Sequence, residues 1–217
     1  MNPRSVLRSL VMFGSPLAYI AIGVVHPMEL KVGDDPTLYI AIHVVQLFLI
    51  WGMAATLWFL TEGIENRAAK IARVAILPYA IAYATLDGIA GLALGATVQA
   101  ANTAPVADQE AARRLFETLY MDEASVEGIA LYLSASLLWL LAAGATALAQ
   151  RGRAPAAVVA TLLVGAAIFA VGHPAPPGPI GMTLFLVGIA WLELKSTAAR
   201  QPQIPTVPPV AVGVVSR

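Results

Sequence analysis

The chain has three histidines, and two of them stand before a proline at the end of an apolar run, in IAIGVVHPM (residues 20–28) and IFAVGHPAP (residues 168–176). The third, His43, shares a helical face with Tyr39 and Gln46 at spacings of four and three. Two carboxylates sit in apolar sequence, Asp87 in YATLDGIAG and Glu127 in SVEGIA. Imidazole and carboxylate without any thiol form a ligand set for Zn, Fe, Cu or Mn, chosen by geometry. Such a set makes either a closed structural site or a catalytic one with a position open to water. Each residue also has a plainer reading. A histidine at a helix C-terminus answers the dipole, Asp87 could bond a buried Tyr or Ser, and Glu127 suits a helix N-terminus. Neither H-E-x-x-H nor H-x-x-x-H occurs, so the metal reading rests on shared depth.

Depth presupposes a membrane. With 59% hydrophobic and 12% charged residues and a mean hydropathy of +0.75, the composition departs far from that of soluble domains. Six apolar runs, at about 9–26, 37–60, 73–96, 124–149, 155–172 and 179–194, approach the length needed to cross ~30 Å of hydrocarbon. None shows the alternation of an outer-membrane strand, so an all-α integral membrane protein is expected, a six-transmembrane-helix bundle in one domain over 1–196. The last two runs are the shortest. The first has no small-x-small cleavage site after it and is read as a helix of the mature chain.

Lys and Arg set the orientation. With the N-terminus in the cytoplasm, the inner side carries Arg4, Arg8, Arg67, Lys70, Arg73, Arg151, Arg153, Lys195, Arg200 and Arg217, while the outer side carries Lys31, Arg113 and Arg114. A multi-pass protein of the cell membrane (plasma or bacterial inner membrane) with both termini cytoplasmic is the expectation. His26 and His173 then end helices that run outward, and proline pushes each toward the cap of its helix. His43 falls ~9 Å and Asp87 ~12 Å below the outer boundary. Ionisable groups in hydrocarbon cost at least a few kcal/mol and face the bundle interior with partners. The three histidines, Gln46, Asp87 and Glu127 therefore gather in the outer half. A small-residue stripe, Ala80, Ala84, Gly88, Gly91 and Gly95, lets neighbours approach the third helix beside Asp87.

Two outer loops differ in kind. In MELKVGDDP, Asp35 followed by Pro36 reads as an N-cap and first helical residue. In ADQEAARRLFETLY (107–120), Ala112, Leu115, Phe116, Leu119 and Tyr120 oppose a charged face, predicting an amphipathic outer-surface helix that is either a lid or a plain interfacial connection. The tail from 197 to 217, rich in Pro and Val, is expected to be disordered and cytoplasmic.

Three functions compete. In the first, a divalent metal such as Zn is held by His43 with His26 or His173 and by Asp87. It would activate water toward a lipid-like or hydrophobic small molecule, with Asp87 or Glu127 catalytic and Tyr39, Gln46 and Tyr83 orienting the ligands. The logic is similar to that of membrane ceramidases, which hold zinc with His and Asp among transmembrane helices, although six spans and no paired-histidine motif set this chain apart. In the second, two histidines ligate haem, or the site takes a quinone. In the third, the protein is a transporter or an accessory subunit whose polar groups tie helices together. The partners implied are membrane lipid and, with room for it, an oligomer. No nucleic acid is implied by zero net charge. G-x-S-x-G, a Walker loop and a dinucleotide fingerprint do not occur.

Overall fold

The computed structural model describes residues 3–27, 29–116, 126–174 and 176–199. Among them every regular element is helical: α1 (Pro3–Val25), α2 (Thr37–Thr61), α3 (Arg67–Asp87), a π-helical segment (Gly88–Ala93), α4 (Leu94–Thr103), α5 (Val106–Phe116), α6 (Val126–Ala149), α7 (Ala156–Val171) and α8 (Pro177–Ala199). Among the described residues the one bridge is the isolated pair Arg151–Ala154.

Among the described residues, five stretches are long and apolar enough to cross a membrane: Pro3–Val25, Thr37–Thr61, the continuous Arg67–Thr103, Ile129–Ala149 and Pro177–Leu194. The expected count of six is therefore met only in part, because α7 has 16 residues. At 1.5 Å per residue it is about 24 Å long, short of the hydrocarbon thickness. Its close packing on α8 accounts for its place in the bundle: a Cβ on Gly165 would stand 2.7 Å from the Gly181 carbonyl oxygen, and one on Gly181 would stand 2.8 Å from that of Gly165. Small residues at such a crossing let the backbones meet.

The helices close into a ring in the order α1, α2, α3, α6, α7, α8 and back to α1. Side chains fill its axis. Met12, Ile50, Met53, Leu57, Tyr79, Trp139, Leu162, Phe169 and Phe185 are all buried in one cluster. Trp139 spends its indole N–H on the Ala166 carbonyl at 2.8 Å, which satisfies the one polar atom of a fully buried ring. The outside is the reverse of a soluble surface: Phe48 and Val74 are about three-quarters exposed, and Leu7, Leu17, Leu137 and Leu194 more than half. Apolar surface on this scale needs lipid or a partner to cover it, which fits a membrane-embedded bundle.

Several elements begin or end away from their expected edges. The helix after the first loop starts at Thr37, one residue later than Asp35 as N-cap implies, yet the Asp35 carboxylate still accepts the Thr37 amide at 2.9 Å. That bond, with the Thr37 hydroxyl, holds Asp35 below the usual carboxylate range. The 73–96 run extends to Arg67–Thr103, and Asn66 caps its start by accepting the Ala69 amide. Over part of the stretch expected to form an amphipathic outer-surface helix lies α5, whose Glu110 pairs with Arg113 and Arg114, so its carboxyl is pulled down to about 2. It packs on α4, and no histidine lines the cleft beside it, which is formed by Val32, Gly33, Ala101, Asn102, Gln109, Glu110 and Arg113. Leu119, Tyr120 and the tail beyond Ala199 lie outside the described residues.

Candidate metal centre

One end of the ring brings the three histidines together. His26 follows the last residue of α1, His43 sits in the second turn of α2, and His173 follows α7 by one residue past Gly172. One ring nitrogen from each lies within 4.8 Å of the others. The rings meet edge to face, with centroids 4.9 Å apart for His26 and His43, 5.0 Å for His26 and His173, and 6.4 Å for His43 and His173.

Tautomers follow from the hydrogen bonds. His26 Nδ1 lies 2.7 Å from the carbonyl oxygen of Pro27, and His43 Nδ1 lies 2.7 Å from that of Tyr39. A carbonyl only accepts, so each Nδ1 carries the hydrogen and each Nε2 of a neutral ring is left with a lone pair. Those two Nε2 atoms face each other at 3.4 Å. His173 Nε2 is buried without a hydrogen-bond partner. Three imidazoles in one buried space strongly disfavour charge on all of them, whereas a cation between their lone pairs satisfies each. Two Zn–N bonds of 2.0–2.1 Å at a tetrahedral angle put the nitrogens roughly 3.3 Å apart, close to the separation of the His26 and His43 pair.

The first His-Pro dipeptide now has a physical account. Pro27 supplies the carbonyl that fixes the His26 tautomer. At His173 the backbone is clamped between helices, because a Cβ on Gly23 of α1 or on Gly178 of α8 would meet the His173 carbonyl oxygen.

Asp87 is the carboxylate that joins the cluster. It is 6% exposed, its Oδ1 is 3.8 Å from His43 Nε2, and its buried Oδ2 has no partner. It is the last residue of α3 before the π-helical segment, a kind of local widening often found at functional sites. The segment is used twice. Its Ala90 carbonyl accepts the Tyr39 hydroxyl at 2.8 Å, and Gly91 lies so close to the His43 ring that a Cβ there would collide with it. Of the small-residue stripe, Gly91 and Gly95 thus make the approach to α2, while a Cβ on Gly88 would meet nothing within 4 Å.

The remaining candidates divide. The Tyr39 ring lies tilted against that of His43 with centroids 4.2 Å apart, and its carbonyl accepts from His43 Nδ1, so it touches the cluster directly. Gln46 is buried one turn further along α2, and its Oε1 has no partner. Tyr83, one turn before Asp87, packs on Tyr79 and Phe169 below the cluster. Glu127 belongs to α6 by its backbone, but its side chain lies outside the described residues. The sequence reading missed Ser136, whose buried hydroxyl oxygen is also without a partner; a lone serine in an apolar helix gives no signal of that kind.

The chain matches no protein-family model, and neither a curated protein nor a solved structure is significantly similar to it. The site must speak for itself.

Proposed function

We propose that this is a membrane-embedded metalloprotein that binds a divalent transition metal, Zn above others, through His26, His43 and His173, and uses it to hydrolyse a lipid-like ester or amide. The observation that carries the reading is the pair of Nε2 lone pairs 3.4 Å apart, with both Nδ1 atoms committed to carbonyls and a third unpartnered imidazole nitrogen beside them. Nitrogen ligands without thiolate suit Zn, and three protein ligands leave a fourth position for water or substrate. A metal ion held there would lower the pKa of water and polarise a carbonyl oxygen.

The chain's own groups do the rest. Asp87, with one oxygen near His43 and the other unpartnered, takes the proton of the attacking water and returns it to the leaving alcohol or amine. Tyr39 and Gly91 hold the His43 ring in place from two sides. Substrate carbonyls reach the cluster from the boundary between head groups and acyl chains, at the end of the bundle that the distribution of Lys and Arg puts outside.

The other readings find less support. A porphyrin between two axial histidines needs a flat slot, and these rings pack edge to face with a third imidazole beside them. A transport path would have to pass the axial core of Tyr79, Trp139, Phe169 and Phe185.

Elemental analysis with an absorption spectrum tests the proposal on protein purified in detergent without chelators. One zinc per chain, lost in both His43→Ala and His173→Ala, is the expected result. Wild-type protein that binds no metal under metal-replete conditions sinks it, and a Soret band replaces zinc by haem.

A further inference from the structure

At the end of the ring away from the histidines, Asn66 caps α3 and also donates from its side-chain nitrogen to the Ala149 carbonyl at 2.9 Å. That bond seats the start of α3 beside the end of α6 and the turn after it, which carries Arg151. Ala69 is buried there with Ile64 and Ala149, so Arg67 and Lys70 are turned outward and exposed, as Arg151 is. Among the described residues none of these three cations forms an ion pair. The acids of the α2–α3 connection are engaged elsewhere, Glu62 with Arg8 at 3.7 Å and Glu65 with Arg73 at 3.9 Å. Glu193 stands on α8, which packs on α1 and α7. Arg73 is committed too, because its guanidinium donates to the Thr61 and Ile64 carbonyls that end α2.

An apolar row continues from the two cations along α3. Ile71, Val74, Leu77 and Ile81 are 48%, 76%, 55% and 54% exposed, and their spacing of three and four puts them on the face that carries Arg67 and Lys70. From Lys70 to Ile81 the helix rises about 16 Å. That is close to half of the ~30 Å of hydrocarbon, the share of one leaflet.

We infer that this face of α3 seats a phospholipid whose head group carries a net negative charge. The phosphate lies against Arg67 and Lys70 with Arg151 beside them, and an acyl chain follows Ile71, Val74, Leu77 and Ile81. Arg matches a phosphate with two parallel donors, and Lys adds a compact charge. An anionic head group answers the three cations, whereas the ammonium of a zwitterionic one would meet them with like charge and find the nearby carboxylates already paired. A lipid is favoured over a soluble phosphate by the apolar row, which is one leaflet deep and begins directly below the cations. Basic residues at the membrane boundary attract anionic lipid, and here they are fixed on one helix face in place of a mobile tail. The inference is independent of the metal centre at the other end.

Native mass spectrometry of the delipidated full chain in a non-ionic detergent, offered equal amounts of phosphatidylglycerol, phosphatidylethanolamine and phosphatidylcholine with identical acyl chains, tests it. Phosphatidylglycerol should be retained over the two zwitterionic lipids. Arg67→Gln and Lys70→Gln should each cut that preference about fivefold, the ratio for one basic residue at an anionic surface. Neither exposed substitution should lower the melting temperature. Lys31→Gln, at the histidine end, should keep the wild-type preference. Glycerophosphoglycerol, the same head group without acyl chains, should not displace the bound lipid at equal concentration. Equal retention of the three lipids, a preference for a zwitterionic one, or an equal loss in Lys31→Gln overturns the inference. Displacement by glycerophosphoglycerol overturns the lipid assignment in favour of a soluble phosphodiester.

Discussion

His26 and His43 present their Nε2 atoms to each other at 3.4 Å while both Nδ1 atoms face backbone carbonyls, so two acceptors meet where a neutral pair would need a donor. Either a metal ion or an additional proton resolves that contact. A proton shared by two imidazoles would place a buried positive charge beside Asp87, 3.8 Å from His43. A metal would also satisfy His173 Nε2, which a proton between the other two leaves unpartnered. Metal removal distinguishes the two. Chelation should lower the melting temperature of the detergent-solubilised protein, and zinc at a hundredfold excess over its Kd should restore about 2.7 kcal/mol of stability. A melting temperature indifferent to chelator and zinc points to the shared proton.

Asp87 separates binding from chemistry. Its Oδ2 is buried without a partner, and its Oδ1 lies 3.8 Å from His43 Nε2. Asp87→Asn keeps the size and removes the base. Metal content should stay near wild type, while hydrolysis of an ester or amide lipid by the purified protein should fall by about 10²–10⁴, the range of a general base. Loss of metal together with turnover would make Asp87 a ligand instead.

The fold was largely legible, and the site only by depth. Apolar length and the absence of alternation sufficed for a helical bundle, because in hydrocarbon the backbone must bond within its own segment. Depth alone put His26, His43 and Asp87 in the outer half of the bundle, since helix rise converts residue number into height. Their convergence was not readable, because it depends on ring order, and α3 neighbours α6 through a long connection rather than a tight hairpin. Nor was the π-helical segment after Asp87 readable. GIAGLA is an ordinary helical sequence by composition, and its widened turn is visible only with Tyr39 bonded to the Ala90 carbonyl and Gly91 against His43. The α7–α8 contact through Gly165 and Gly181 was likewise hidden, as each glycine acquires meaning only from the other helix.

Gly91 and Gly88 make a matched pair on the π-helical segment. A methyl at 91 runs into the His43 ring, and one at 88 meets open space. Gly91→Ala should displace His43 and reduce metal occupancy in elemental analysis. Gly88→Ala should leave occupancy unchanged and gain up to about 1 kcal/mol of stability from helix propensity. Equal occupancy in the two variants would show that His43 is free to move and that the close approach of α3 to α2 does not position it.

Tyr39 joins the histidines to the widened helix through its hydroxyl, 2.8 Å from the Ala90 carbonyl, and through its ring against His43. Tyr39→Phe keeps the ring and its carbonyl bond to His43 Nδ1 while it removes the hydroxyl. The part-buried hydrogen bond to the Ala90 carbonyl is then lost, at a cost of about 0.5–1.5 kcal/mol. If the hydroxyl braces the segment that carries Asp87 and Gly91, zinc affinity should fall with stability. A variant that melts earlier yet binds zinc with unchanged affinity would confine Tyr39 to holding α2 against α3, and would leave the position of His43 to the Gly91 contact alone.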